Sequence, residues 1–140
     1  MKTLLFSLAL IFSVTMSFAQ TSESLKARIQ EHYKAIHSGS DTLWSHHLDE
    51  FTIFPSDGKA LLEPGFQKTF ENMGATMKLP KPNVTMKHFS SQIYNNVGVA
   101  TFYLDGSYGE EHGLYRVTAV WVWKDGVWLE AHHHESRLIN

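Results

Sequence analysis

Cysteine is absent from the 140 residues. Its absence excludes a disulfide framework, a cysteine nucleophile, a thiolate metal centre and lipid attachment at sulfur. Proline is scarce, at 4 residues, and no proline-rich linker or low-complexity stretch divides the chain. Neither sign of charge dominates: 12 Lys and Arg face 14 Asp and Glu, a net charge of -2 with neutral histidines. Nothing sequence-wide therefore favours nucleic acid or an anionic membrane as partner. No apolar run reaches the roughly 20 residues that span a bilayer. What the chain does have is 43% hydrophobic residues, too many for disorder, together with 13% aromatics and 9 histidines.

The N-terminus reads as a targeting segment. Lys2 precedes an apolar run from Leu4 to Val14, interrupted only by Ser7 and Ser13, and Ser17-Phe18-Ala19 offers the small residues of a cleavage site. A signal peptide over 1–19 leaves a domain over 20–140, a 121-residue mature chain beginning at Gln20. The expected location is periplasmic or secreted, with no membrane attachment after cleavage. An exported chain without disulfides must rely on one hydrophobic core, which this length can build.

Helical spacing of Leu25, Ile29, Tyr33 and Ile36 predicts a helix over Ser22 to Ser38, stopped by Gly39. Ser40 or Asp41 caps a short second helix running to His47, with Leu43 and Trp44 on its apolar side. Phe51 to Phe54 is a short strand closed by Pro55-Ser56-Asp57-Gly58. Pro64 opens a third helix lined by Phe66, Phe70 and Met73 and ended at Gly74; a loop covers 75–83. Strands follow over Val84 to Tyr94, Val97 to Leu104, Leu114 to Trp123 and Val127 to Leu138. Asp105-Gly106 is read as opening a loop, and Lys124-Asp125-Gly126 as a tight hairpin turn. Helices followed by an antiparallel meander make an α+β domain, its helices on one face of a curved sheet.

In this order the chain resembles the nuclear transport factor 2-like superfamily, in its SnoaL-like branch. The resemblance rests on the first helix running into Gly39-Ser40-Asp41 and Trp44, on Asp49-Glu50-Phe51-Thr52-Ile53-Phe54 closing at Asp57-Gly58, and on Tyr103-Leu104-Asp105-Gly106. It rests also on Trp121-Val122-Trp123-Lys124-Asp125-Gly126-Val127-Trp128 leading into His132-His133-His134-Glu135-Ser136. That last hairpin is similar to the end of the association domain of calcium/calmodulin-dependent protein kinase II. The resemblance implies a strongly curved antiparallel sheet forming a cone, closed by N-terminal helices, around an apolar pocket. It does not fix an activity, because this fold hosts isomerases, dehydratases, hydrolases and pockets without chemistry. The ketosteroid isomerase relatives carry a general-base carboxylate near the end of the first short strand; Pro55 stands there in this chain and cannot take a proton.

Alternation along the last strand groups His132 and His134 with Glu130 and Ser136, and His133 and Glu135 with Leu129 and Ala131. By the likeness to the kinase association domain, His133 and Glu135 face the pocket, a catalytic pair in which His133 is the base and Glu135 orients it. The alternative reading leaves Glu135 in water at the strand end. His132 and His134, about 6.6–7 Å apart along a strand, resemble half a metal site; His46, His47 or Glu130 could supply a third ligand, but nothing in the spacing shows it, and no metal or other cofactor is expected. His47 ends the second helix, either as a pocket residue or through helix-end electrostatics. Tyr33, Trp44, Tyr103, Tyr115 and Trp121 are read as ligand-binding walls or, equally, as an aromatic core. His32 and His37 are expected on the solvent side of the first helix.

The leading functional expectation is an exported domain binding a small apolar ligand, as a homodimer, with activity undetermined. One alternative is an acid/base enzyme of isomerase, lyase or hydrolase type on a small apolar substrate, with Tyr103 or Tyr115 stabilising developing charge. A second is a structural oligomerisation module without pocket chemistry.

Overall fold

The computed structural model describes residues 20–56, 60–65, 82–108 and 111–138. The signal segment 1–19, the third helix beyond Gly65 and the turn at Asp57-Gly58 lie outside the described residues. Helix α1 spans Ser22–Ser38. Thr21 accepts from the Ser24 backbone N–H and Ser24 accepts from that of Thr21, both at 3.1 Å, so two otherwise orphaned donors are satisfied at its start. Gly39 ends it in the left-handed conformation, φ 65°. Leu25, Ile29, Tyr33 and Ala35 are buried along one stripe, and His32 is buried with them. The solvent-side expectation for His32 fails because it sits seven residues after Leu25, within the width of the apolar stripe. His37 is half-buried and accepts a hydrogen bond from the Val84 N–H at 3.2 Å.

Ser40 caps a short 3₁₀ helix, Asp41–His46, which delivers the chain directly into strand β1, His47–Phe54. The remaining strands are β2 (Asn83–Tyr94), β3 (Val97–Tyr108), β4 (Glu111–Lys124) and β5 (Val127–Arg137). Their order across the sheet is β1-β5-β4-β3-β2. The sheet is mixed rather than wholly antiparallel: β1 runs parallel to β5, while the other pairs are antiparallel. The long connection from β1 carries the chain to the opposite edge, and the meander then returns β5 alongside β1 in the same direction.

Asp105-Gly106 opens no loop. β3 continues to Tyr108 and β4 starts at Glu111, so Gly106 pairs with Gly113 on one side and Val84 on the other. Lys87 donates to the Asp105 carboxylate, with His112 3.2 Å from its other oxygen, and these cross-strand contacts replace the expected turn. Gly106 has φ 153°, and a Cβ there would stand 2.1 Å from the Asn83 carbonyl oxygen, so the close approach of β2 requires glycine. The Asp125-Gly126 turn is as expected, both residues having positive φ.

One sheet face carries the core. Ala100, Phe102 and Leu104 of β3, Tyr115, Val117, Ala119 and Trp121 of β4, and Trp128 of β5 are buried on it beneath Leu25, Ile29 and Tyr33 of α1. Three register shifts interrupt the sheet, the first between His47 and Thr52 of β1 where it pairs with β5. In β2 the irregularity lies between Lys87 and Ser90, where His88 adopts φ 52°. In β5, Val120 pairs with His132 but Trp121 pairs with Glu130, leaving Ala131 as the extra residue. That bulge in β5 builds the site.

Candidate functional site: a buried glutamate–histidine relay

Simple alternation places Glu130 opposite His133. The bulge at Ala131 advances the pleat by one residue, so Trp128 and Glu130 before it and His133 and Glu135 after it all point to the covered face. Glu130 is 1% exposed. The grouping of Glu130 with His132 and His134 is thus corrected, while His133 and Glu135 do face inward. His132 lies on the other side, its Nδ1 2.8 Å from the Thr52 hydroxyl, and His134 is exposed.

The inward groups form a chain of contacts. Glu130 Oε1 is 2.9 Å from His133 Nδ1, and His133 Nε2 is 3.4 Å from Glu135 Oε2. Tyr108 donates its hydroxyl to the same Glu135 oxygen at 2.9 Å. Ionised carboxylates only accept, so an imidazole held between two of them presents an N–H to each and is an imidazolium. Its electrostatics agree: burial pulls the His133 pKa down, but the Glu130 charge and the hydrogen bonds that His133 donates to both glutamates outweigh it and raise the pKa to about 10. Burial opposes the charge on Glu130, yet His133 and the neighbouring His47 hold its carboxyl well below the usual range. An imidazolium has no lone pair to receive a proton. In this charged form His133 can donate a proton and cannot serve as the general base expected of it.

Glu130 has a second set of neighbours. Its Oε2 is 3.4 Å from His47 Nε2 at the start of β1 and 3.9 Å from His32 Nε2 on α1. Burial lowers the His32 pKa to about 3, and that of His46, whose ring is tilted 45° to it at 5.6 Å, to about 4. Burial, followed by the charge of Glu135, pushes the Tyr108 hydroxyl far above the ordinary phenol value. The Nδ1 atoms of His32, His46 and His47 are buried with no hydrogen-bond partner among the described residues.

This polar row forms one wall of a cavity of about 350 Å³, within the size range of small-molecule sites. Ile36, Leu43, Trp44, Phe51, Ile53 and Leu62 supply apolar walls. Leu62 is fixed there by paired backbone hydrogen bonds with Ile53, 2.9 and 3.3 Å. Pro55 reaches the lining and brings no carboxylate; the acids come from β5 instead. A hollow of about 600 Å³ between α1 and the β4–β5 hairpin is larger, but its lining, including Arg28, Trp123 and Trp128, brings no paired acid and histidine.

Of the residues singled out in the sequence, Tyr33, Trp44, His47, His133 and Glu135 meet around the cavity. Tyr115 and Trp121 are buried in the core beside it and do not line it. Tyr103 is 37% exposed on the opposite face, because the β3 residue level with Tyr115 is Leu104 and Tyr103 pairs with the exposed Arg116. Neither Tyr103 nor Tyr115 is placed to stabilise charge in the cavity; Tyr108 is the hydroxyl that reaches the relay. Tyr108 and His32 were missed, and Glu130 was weighed only as a possible metal ligand. Glu130 had a signal in the sequence, since alternation with the inward Trp128 two residues earlier points it inward.

No protein-family profile matches the chain, and no curated protein matches it significantly. Solved structures do. A nuclear transport factor 2-like protein from Cytophaga hutchinsonii superposes with a TM-score of 0.70 at 15% identity, over 86% of this chain and 100% of that one. A protein assigned as a ketosteroid isomerase from Parabacteroides distasonis gives 0.64 at 18% identity, over 81% and 85%. The calcium/calmodulin-dependent protein kinase II hub homology domain of Chlamydomonas reinhardtii gives 0.65 at 24% identity, over 84% and 98%. Identities this low speak for architecture alone, and on that architecture they agree: the chain has the nuclear transport factor 2-like fold.

Proposed function

We propose that the protein is an exported domain that binds a small, largely apolar molecule in the cone cavity and transfers a proton on it. The observation that carries this reading is the Glu130–His133–Glu135–Tyr108 relay set into the wall of an otherwise apolar cavity of about 350 Å³. Glu135 is the acceptor, the His133 imidazolium and the Tyr108 hydroxyl are donors, and Glu130 holds His133 in its charged form. Such a pair of acceptor and donor suits removal of a proton beside a polarised carbonyl, or elimination of water, on a substrate whose body contacts Trp44, Phe51 and Leu62. The likeness in fold to a protein assigned as a ketosteroid isomerase is compatible with this class of reaction.

The neutral fluorophore N-phenyl-1-naphthylamine tests the cavity. Saturable binding with enhanced emission is expected for the native chain, and Ile53→Trp, which fills the space, should weaken it at least about tenfold while the fold persists. His132→Ala, on the other face, should bind as the native chain does. Binding that survives Ile53→Trp unchanged, or is lost with His132→Ala, would place the ligand elsewhere.

Export and self-association belong to the same proposal. Lys2, the apolar run to Val14 and Ser17-Phe18-Ala19 support cleavage after Ala19. Tyr94, Tyr103, Leu114 and Phe54 are large hydrophobic side chains left exposed, an uncomfortable set for a monomer, and a second copy of the chain would cover them. Native mass spectrometry of exported material should record twice the mass of residues 20–140. A retained N-terminal segment would remove the export reading, and a 121-residue monomer at micromolar concentration the dimer.

A further inference from the structure

We infer that His32, His47 and Glu130 form a three-ligand site for a divalent transition-metal ion of the zinc class, open to the cavity. One ring nitrogen from each of His32 and His47 and one Glu130 oxygen all lie within 4.8 Å of one another. The two edges to Glu130 Oε2 measure 3.4 and 3.9 Å. A tetrahedral ion with bonds of about 2.0–2.1 Å separates its ligands by about 3.4 Å, so small movements of the side chains suffice to close the triangle. The three groups come from α1, β1 and β5, elements packed together by the core, and all three side chains are almost fully buried.

The second oxygen of Glu130 strengthens the assignment. Oε1 is engaged by His133 at 2.9 Å, which fixes the carboxylate plane and aims Oε2 at the two imidazoles. A partner of this kind, holding a ligand from behind, is the usual second layer of a metal centre. Two imidazole nitrogens and a carboxylate oxygen are a donor set that borderline cations prefer, and one used by catalytic zinc sites with a free fourth position. Here the three ligands line the cavity, so the fourth position faces the space where a small molecule would sit. The site revises the expectation, built on His132 and His134, that no metal is required. It stands whether or not the relay transfers protons.

Untagged protein stripped with a chelator and titrated with Zn²⁺ should bind one equivalent by calorimetry, retained through gel filtration. His47→Ala should weaken that binding by more than about 100-fold, beyond the loss typical of an outer-layer partner. His132→Ala and His134→Ala should leave it unchanged. Co²⁺ in the native chain should give the intense visible bands of a four-coordinate centre, a readout that needs no variant to fold. Absence of stoichiometric binding, a weak octahedral Co²⁺ spectrum, or affinity lost with His132 or His134 instead of His47 would each overturn the site.

Discussion

His133→Ala is expected to lower the unfolding free energy by about 3–5 kcal/mol at pH 7, the range for breaking a buried ion pair from one side. The loss exceeds what removal of an imidazole's packing would give. It leaves Glu130 and Glu135 facing each other across a space from which the balancing positive charge has gone, with Glu130 fully buried. Urea unfolding followed by circular dichroism measures it, with chelator present so that no bound ion contributes. The double variant Glu130→Leu, His133→Ala should be less destabilised than the sum of the single changes, because one orphaned charge leaves with its partner. A loss below about 1 kcal/mol, or strict additivity, would mean that the relay is not a coupled unit.

The same residue sets a pH signature. Folded His133 keeps its proton up to about 10, while the ordinary histidine value is 6.5. Its contribution is therefore whole below 6.5 and disappears as the pH rises through 10. His32 runs the other way. Its folded value, about 3, lies below 6.5, so its contribution is whole above 6.5 and is lost as the pH falls toward 3. Stability should peak near neutrality, and His133→Ala should abolish the alkaline limb while sparing the acid one.

Much of the fold was legible because its punctuation is local. Gly39, Ser40 and Asp125-Gly126 act on the few residues around them, and each does in the structure what its chemistry dictates. The parallel seat of β1 beside β5 was not legible, since pairing across a connection of that length leaves no short-range pattern. The continuation of β3 past Asp105-Gly106 failed for a related reason: Lys87 and His112, distant in sequence, hold the aspartate that a turn would have used. Half of the site was readable and half was not. His133 and Glu135 followed from parity counted from the family resemblance. Alternation from Trp128 also turns Glu130 inward, but the two parities agree only because Ala131 is skipped, and no residue type announces a bulge of that kind. Tyr103 shows the converse, an aromatic whose type suggested a wall and whose cross-strand partner Arg116 sends it to solvent.

Trp121→Ala is expected to be as damaging as loss of the relay, about 3–5 kcal/mol, for an unrelated reason. Trp121 is 1% exposed, pairs across the sheet with Gly98 and Glu130, and receives the His32 ring edge-on at 5.9 Å. Alanine would leave a void beneath the layer that holds His32 and Glu130, and water entering it would loosen the buried acid. Trp121→Phe separates this packing role from any polar one. The indole Nε1 is buried with no hydrogen-bond partner among the described residues, so phenylalanine removes an unsatisfied donor along with part of the ring. The gain offsets part of the lost volume, and the Phe variant should lose less than half of what the Ala variant loses, by urea unfolding. Because Trp121 lies beside the cavity and not in its lining, Trp121→Phe should also bind N-phenyl-1-naphthylamine as the native chain does. Equal damage from Phe and Ala would show that the indole nitrogen has a partner. Lost dye binding in a folded Phe variant would return Trp121 to the cavity wall.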